Sequence, residues 1–218
     1  MKARSQLGFC IPALNALLFC AVLFAVSLSR AEVPDPAIDG ARTMVRTMVD
    51  LVLADLAKEG IEDDVKIKSL EKIVFSSFEF ETISRLVLAR NFKKFSKEQQ
   101  QEFVDHFKIY LSRSYGTRLL RYADEKVEFR NARLEKRGDV TVMTEIVGGK
   151  ADGIEMNYRV RNRTDTWKVI DVVIEGISLI SNFRTQFKEI INRDGPEGLL
   201  ARLRDKTFKA EDPEPDPA

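Results

Sequence analysis

The spacing of apolar positions changes twice along this chain, and the changes divide it into helices, a sheet and helices again. In the first part the period is helical. Residues 36–58 carry Met44, Val45, Met48, Val49, Val52 and Leu56 on one face, with Arg42, Arg46 and Asp50 elsewhere and Gly60 as the stop. A second helix is expected over 62–75, with Val65, Leu70, Ile73 and Val74, and a third over 79–90, with Ile83, Leu86 and Val87. Ser96 with Gln99 three residues on reads as a capping box. The helix behind it spaces Phe103, Phe107, Leu111 and Tyr115 four apart, with Gly116 as its end or a kink.

After Tyr122 the period becomes two. Val127 and Phe129 alternate, then the set slips to Ala132 and Leu134, as a β-bulge near Arg130-Asn131 would cause. Val140, Val142, Thr144 and Ile146 follow, between turns at Arg137-Gly138-Asp139 and Gly148-Gly149. Ile154, Met156, Tyr158 and Val160 come next, with Glu155, Asn157, Arg159 and Arg161 on the opposite side. Residues 162–165 then turn into a strand apolar on both faces: Trp167, Val169 and Val173 alternate with Ile170, Val172 and Ile174. Such a strand is covered on both sides, and a central place in the sheet is expected for it. Asp171 interrupts it, on the face of Trp167, Val169 and Val173 by simple alternation. Gly176 breaks the period, and Ser178 caps a helix carrying Leu179, Ile180, Phe183, Phe187 and Ile190. A last helix, from Glu197 on, carries Leu199, Leu200 and Leu203. The expected fold class is therefore α+β. A curved antiparallel β-meander of about four strands is covered by several helices, in the manner of an NTF2-like cone with a helical extension. A cone closed by helices suits an apolar ligand.

The chain ends set the compartment. Lys2 and Arg4 precede an apolar stretch over 7–26, and Ser29-Arg30-Ala31 has the small-x-small cleavage pattern, so residues 1–31 read as a signal peptide. An uncleaved inner-membrane anchor is the competing reading, since the stretch is long. Both cysteines, Cys10 and Cys20, fall inside this leader, which leaves the mature chain without disulfides or thiol chemistry. Cleavage also removes Lys2, Arg4 and Arg30 and takes the formal charge from +1 to −2. A near-neutral chain is not an electrostatic nucleic-acid binder. Residues 210–218 are acidic and proline-rich and read as a disordered tail. One domain is expected over 32–209: mainly helical at 36–122, sheet at 125–178, helical at 178–209.

Candidate chemistry is sparse. His106 has no motif around it and reads as structural. Asp171 is the sharper candidate, because an isolated carboxylate among apolar side chains has a raised pKa and could act as a general base, with Tyr158 or Tyr115 as partner. Pairing with Arg159 or Arg161 of the neighbouring strand makes it a structural anchor instead. Arg113, Arg118 and Arg121 cluster behind the aromatic stripe, as a solvated face or a headgroup contact. No Walker loop, dinucleotide fingerprint, zinc spacing or nucleophile elbow occurs, so no metal, cofactor or enzymatic activity is expected.

Three blocks carry a family resemblance. Trp167-Lys168-Val169-Ile170-Asp171-Val172, running through Glu175-Gly176-Ile177-Ser178-Leu179 to Asn182-Phe183-Arg184-Thr185-Gln186-Phe187, resembles the signature of the MlaC family. Arg85-Leu86-Val87-Leu88-Ala89-Arg90 with residues 99–110 and Ser114-Tyr115 is similar to a second block, and residues 195–203 to a third. The family, also known as toluene-tolerance auxiliary proteins, comprises periplasmic lipid-shuttle components of the Mla pathway, which maintains outer-membrane lipid asymmetry. The chain departs from it at Ala89, where glycine is usual, near Asn91-Phe92, where Trp or Tyr is usual, and at Thr166, which replaces a glycine. The resemblance implies a periplasmic carrier holding phospholipid acyl chains between sheet and helices, with hopanoid as an alternative cargo. Its implied partners are an inner-membrane ABC transporter with an MCE-domain subunit and an outer-membrane lipoprotein complex. The expected lipid-binding residues are Phe103, Phe107, Leu111, Tyr115, Val142, Ile146, Met156, Tyr158, Trp167, Val169, Phe183 and Phe187, with Asp171 and Gly176 structural.

Overall fold

The computed structural model of the chain describes residues 35–120 and 125–209. The expected signal peptide, the expected tail and Arg121 lie outside the described residues. Helix α1 (Pro36–Leu56) starts where the Asp35 side chain accepts from the Ala37 N–H, with Pro36 at its first position. α2 (Asp63–Ser77) and α3 (Phe80–Leu88) follow, then a 3₁₀ segment (Ala89–Lys94) and α4 (Lys97–Leu119). α3 holds its whole apolar stripe but ends before the expected Arg90, because Ala89 adopts φ 49°, ψ −121°, which stops the α-helix. α4 begins with the complete Ser96/Gln99 capping box. It runs on through Gly116 rather than ending there, with Ile67 of α2 packed beside that position.

The sheet consists of β1 (Lys126–Leu134), β2 (Val140–Val147), β3 (Met156–Arg163), β4 (Thr166–Ile174) and β5 (Ile177–Ser178), antiparallel and in sequential order. β1 slips between Phe129 and Ala132, the bulge its pattern implies. α5 (Leu179–Arg204) bends at Gly195 (φ 71°, ψ −178°) just before Pro196, so its two arms match the two helices in the sequence pattern.

Two expectations for β4 are corrected. It is not central: only the two-residue β5 lies beyond it, and the backbone of Phe78 and Glu79 fills part of its outer edge, with Glu79 N–H donating to Val169 C=O at 2.9 Å. It is nevertheless apolar on both faces, since Val169, Val172 and Ile174 pack under α1 while Ile170 faces Ile83 and Val87 of α3 and Phe183 of α5. Nor does Asp171 share a face with Trp167 and Val169. Arg159 pairs with Asp171 and Val160 with Val169, so Ile170 is an unpaired bulge residue that turns Asp171 to the opposite face.

Two apolar cores result. One lies between the sheet and α1, with Ala41, Val45, Val140, Val142, Val160 and Val169 all fully buried. The other joins α3, α4 and α5 through an aromatic cluster: Phe103, Phe107, Phe183 and Phe187 are at most 1% exposed, with ring centroids 5.1–5.7 Å apart. Among the described residues no helix is long and apolar enough to cross a membrane.

Candidate functional site

Between the two cores lies a cavity of about 210 Å³. α1 supplies Met48, Val49, Val52 and Leu56, and α2 supplies Ile67, Leu70 and Val74. α4 lays Leu111, Tyr115 and Leu119 along it, and the sheet closes it with Ile146, Met156, Tyr158, Val172 and Ile174. Of the twelve residues expected to bind lipid, Leu111, Tyr115, Ile146, Met156 and Tyr158 face this space.

The other seven sit elsewhere. Val142 and Val169 are fully buried between sheet and α1. Trp167 is half-buried against Gly40 of α1, where a Cβ would come within 2.6 Å of the indole nitrogen. Phe103 and Phe187 belong to the aromatic core, as do Phe107 and Phe183, which also border a small separate void of about 30 Å³. The contributions of α1 and α2 were missing from the expected set. Their apolar stripes were visible in the sequence, but nothing there says whether a stripe meets protein or empty space.

Few polar groups reach the cavity. Ser112 donates to Glu71 at 2.6 Å, tying α4 to α2. Thr144 donates its hydroxyl to the Met156 carbonyl and its N–H to Asn157 Oδ1 at 3.1 Å. These bonds join β2 to β3 in the gap between the backbone pairing at Val140–Val142 and its resumption at Glu145 and Ile146, where Ile146 N–H donates to Ile154 C=O at 2.9 Å. The Tyr158 hydroxyl lies 3.0 Å from Met156 Sδ, and burial pushes the phenol well above its usual range, so it stays neutral. Arg118 stands 5.7 Å over the Tyr115 ring. Glu125 packs on Gly149, a position with φ +63° where a Cβ would collide with its carboxylate.

Asp171 is held by three groups. Ser178 Oγ donates at 2.6 Å, the Ile180 N–H at 3.2 Å and the Arg159 guanidinium at 3.4 Å. With Ser178 accepting from the Ser181 N–H, the carboxylate completes the N-terminal cap of α5. Burial raises its pKa, although the Ser178, Ile180 and Arg159 contacts pull the other way. Gly176 (φ +78°) turns β4 into β5 beside Glu175 (φ 48°), a two-residue hairpin that needs a positive φ at both positions. His106 lies 3.9 Å from Glu102, one helical turn away. Among the described residues, no three His, Cys, Asp or Glu side chains are grouped to hold a metal ion.

The family described as MlaC protein matches residues 43–205, three-quarters of the sequence and all the elements that build the cavity except the start of α1. The chain belongs to the MlaC family. It is similar to the toluene tolerance protein ttg2D of Pseudomonas putida, 27% identical over 128 residues, which are 58% of this chain and 60% of that protein. It is also similar to the intermembrane phospholipid transport system binding protein MlaC of Haemophilus influenzae, 23% identical over 124 residues, 54% of this chain and 57% of the relative. The chain thus spans about three-fifths of the length of these relatives. A solved structure of the phospholipid-binding protein from Ralstonia solanacearum, in complex with a phospholipid, superposes with a TM-score of 0.69 at 26% identity, covering 76% of this chain and 96% of that one. The α+β architecture is thus that of an MlaC-family relative. Ala89 is exposed and holds a positive φ that glycine adopts without strain.

Proposed function

We propose that the protein is a periplasmic lipid carrier that takes the acyl chains of a phospholipid into the cavity between α1, α2, α4 and the sheet. The observation that carries this reading is the cavity itself: about 210 Å³ of apolar-walled space, in a chain related to a protein whose structure contains a phospholipid. Burying a methylene is worth about 0.8 kcal/mol, so acyl chains cross water only inside such a sleeve. Export by the leader over 1–31 places the carrier between the two membranes. There it exchanges lipid with an outer-membrane lipoprotein complex and with an inner-membrane ABC transporter bearing an MCE-domain subunit. An enzyme using Asp171 finds no support, because the carboxylate is committed to Ser178, Ile180 and Arg159.

Native mass spectrometry of protein purified gently from its own cells tests the proposal. A phospholipid mass bound one to one is expected, and a hopanoid mass would replace the cargo while keeping the carrier. Protein that is empty, and that stays empty after incubation with phospholipid vesicles, overturns the reading.

A further inference from the structure

Beside the 210 Å³ cavity, a second and smaller space lies along the seam between the cores. The 210 Å³ cavity and the 30 Å³ void share four bordering side chains from four parts of the fold: Phe78 after α2, Leu111 of α4, Val172 of β4 and Leu179 at the start of α5. On the cavity side these residues are accessible: Phe78, Leu111 and Leu179 are all half-buried and Val172 is 8% exposed. Behind them, Val87, Phe107, Ile170 and Phe183 are at most 1% exposed. The void is apolar throughout. Asp171 borders it with its oxygens engaged by Ser178 and the Ile180 N–H, so it does not offer water the two to four partners a buried water needs. Protein interiors keep few spaces of this size, and this one lies directly under the cavity floor.

We infer that Phe78, Leu111, Val172 and Leu179 form the floor of the lipid cavity, and that Leu111 and Leu179 set the longest acyl chain the protein accepts. This rests on the lipid-carrier reading. A chain that reaches the floor stops there because the next methylene would have to displace a leucine into packed rings. Trimming either leucine joins the void to the cavity and lets the chain continue into the helical core. Leucine is suited to this position: it is large enough to close the floor, and unlike Phe78, which stacks on Phe80, it can be trimmed without breaking a ring contact.

The test compares the protein with its Leu111→Ala, Leu179→Ala and Leu111→Phe variants. Each is incubated with vesicles of equimolar short-, medium- and long-chain diacyl phosphatidylcholine, re-isolated, and its bound lipid measured by mass spectrometry. Both alanine variants are expected to shift the bound population to longer chains, by about fourfold for each further methylene buried, and Leu111→Phe to shift it to shorter ones. Val87→Ala enlarges the void from its far side without opening the floor and should keep the original distribution while losing comparable stability. Lipid-loaded alanine variants with the original distribution overturn the floor assignment and leave the carrier intact. A shift in Val87→Ala equal to that in Leu111→Ala also overturns it, since the change would then come from general loosening. Unaltered protein that takes up no lipid from any vesicle overturns the carrier reading itself.

Discussion

Replacing Ala89 by glycine should make this protein more stable, although it removes an atom and adds no contact. Residue 89 ends α3 with φ 49°, ψ −121°, a combination that a side chain with a Cβ rarely adopts. Holding a non-glycine residue in a sparsely populated region costs about 1–3 kcal/mol. Glycine removes that cost but leaves the unfolded chain more freedom, which returns about 0.4–1 kcal/mol. The Ala89 side chain is exposed, so no burial is lost with its methyl group. The balance is a gain of about 1 kcal/mol, or about 2–4 °C in Tm for a chain of this length. Ala89→Val, which adds a β-branched side chain at the same φ, should move the other way. Urea unfolding followed by circular dichroism measures both. An Ala89→Gly midpoint at or below that of the parent, with an unchanged m-value, would refute the reasoning and mean that the turn from α3 into the 3₁₀ segment is not strained at this residue.

Three further outcomes follow from named contacts. Burial raises the Asp171 pKa in the folded state, so the folded protein holds the proton more tightly than the unfolded chain does from about pH 4 up to that raised value; stability from this group is present below the window and is lost as pH rises through it. The unfolding free energy of the parent minus that of Asp171→Asn should therefore grow as pH falls toward 4, and a flat or reversed difference would mean that the three donors outweigh burial. Met156→Trp fills open space at the cavity wall, so uptake of a fluorescent phospholipid should be lost with a stability change under about 1 kcal/mol; retained uptake with the loss of about 1–3 kcal/mol typical of overpacking would mean that Met156 faces packed protein. The β3–β4 hairpin turns on Thr164 (φ 48°) and Asp165 (φ 58°), and changing them together, Thr164→Asn with Asp165→Gly, should raise the urea midpoint by about 1–2 kcal/mol of stability, with an unchanged midpoint counting against strain in that turn.

Much of this architecture could be read from local signals. The Ser96/Gln99 box, the Ser178 cap and the slip between Phe129 and Ala132 each arise from a few adjacent residues, and each is found where its residues stand. The bulge at Ile170 could not be read, because β4 is apolar on both faces and an extra residue there leaves no break in the pattern. That single residue decides which way Asp171 points. The cavity was legible only in part, for a related reason. Phe103 and Phe107 stand in the same stripe of α4 as Leu111 and Tyr115, yet the first pair meets Phe183 and Phe187 while the second meets open space. Periodicity identifies a face that avoids water, but not the object that covers it.

That empty space has an energetic consequence for the fold around it. At about 24 cal/mol per Å³, a dry cavity of 210 Å³ withholds about 5 kcal/mol of packing, comparable with the 5–15 kcal/mol by which whole domains are stable. The two cores on either side have to supply the difference, and their composition suits the task. One is a clamp of fully buried small apolar residues between α1 and the sheet; the other is a web of aromatic rings in which Phe107 alone contacts Phe103, Tyr110, Phe183 and Phe187. Phe107→Ala should accordingly cost about 3–5 kcal/mol whether lipid is present or not, because its ring packs on protein rather than on cargo. Lipid itself should act on the missing part: at a hundred times its dissociation constant it adds about 2.7 kcal/mol, so loaded protein melts higher than protein stripped by detergent. Equal melting of loaded and stripped protein would mean that lipid does not bind the folded chain in preference to the unfolded one, which would count against the carrier reading itself.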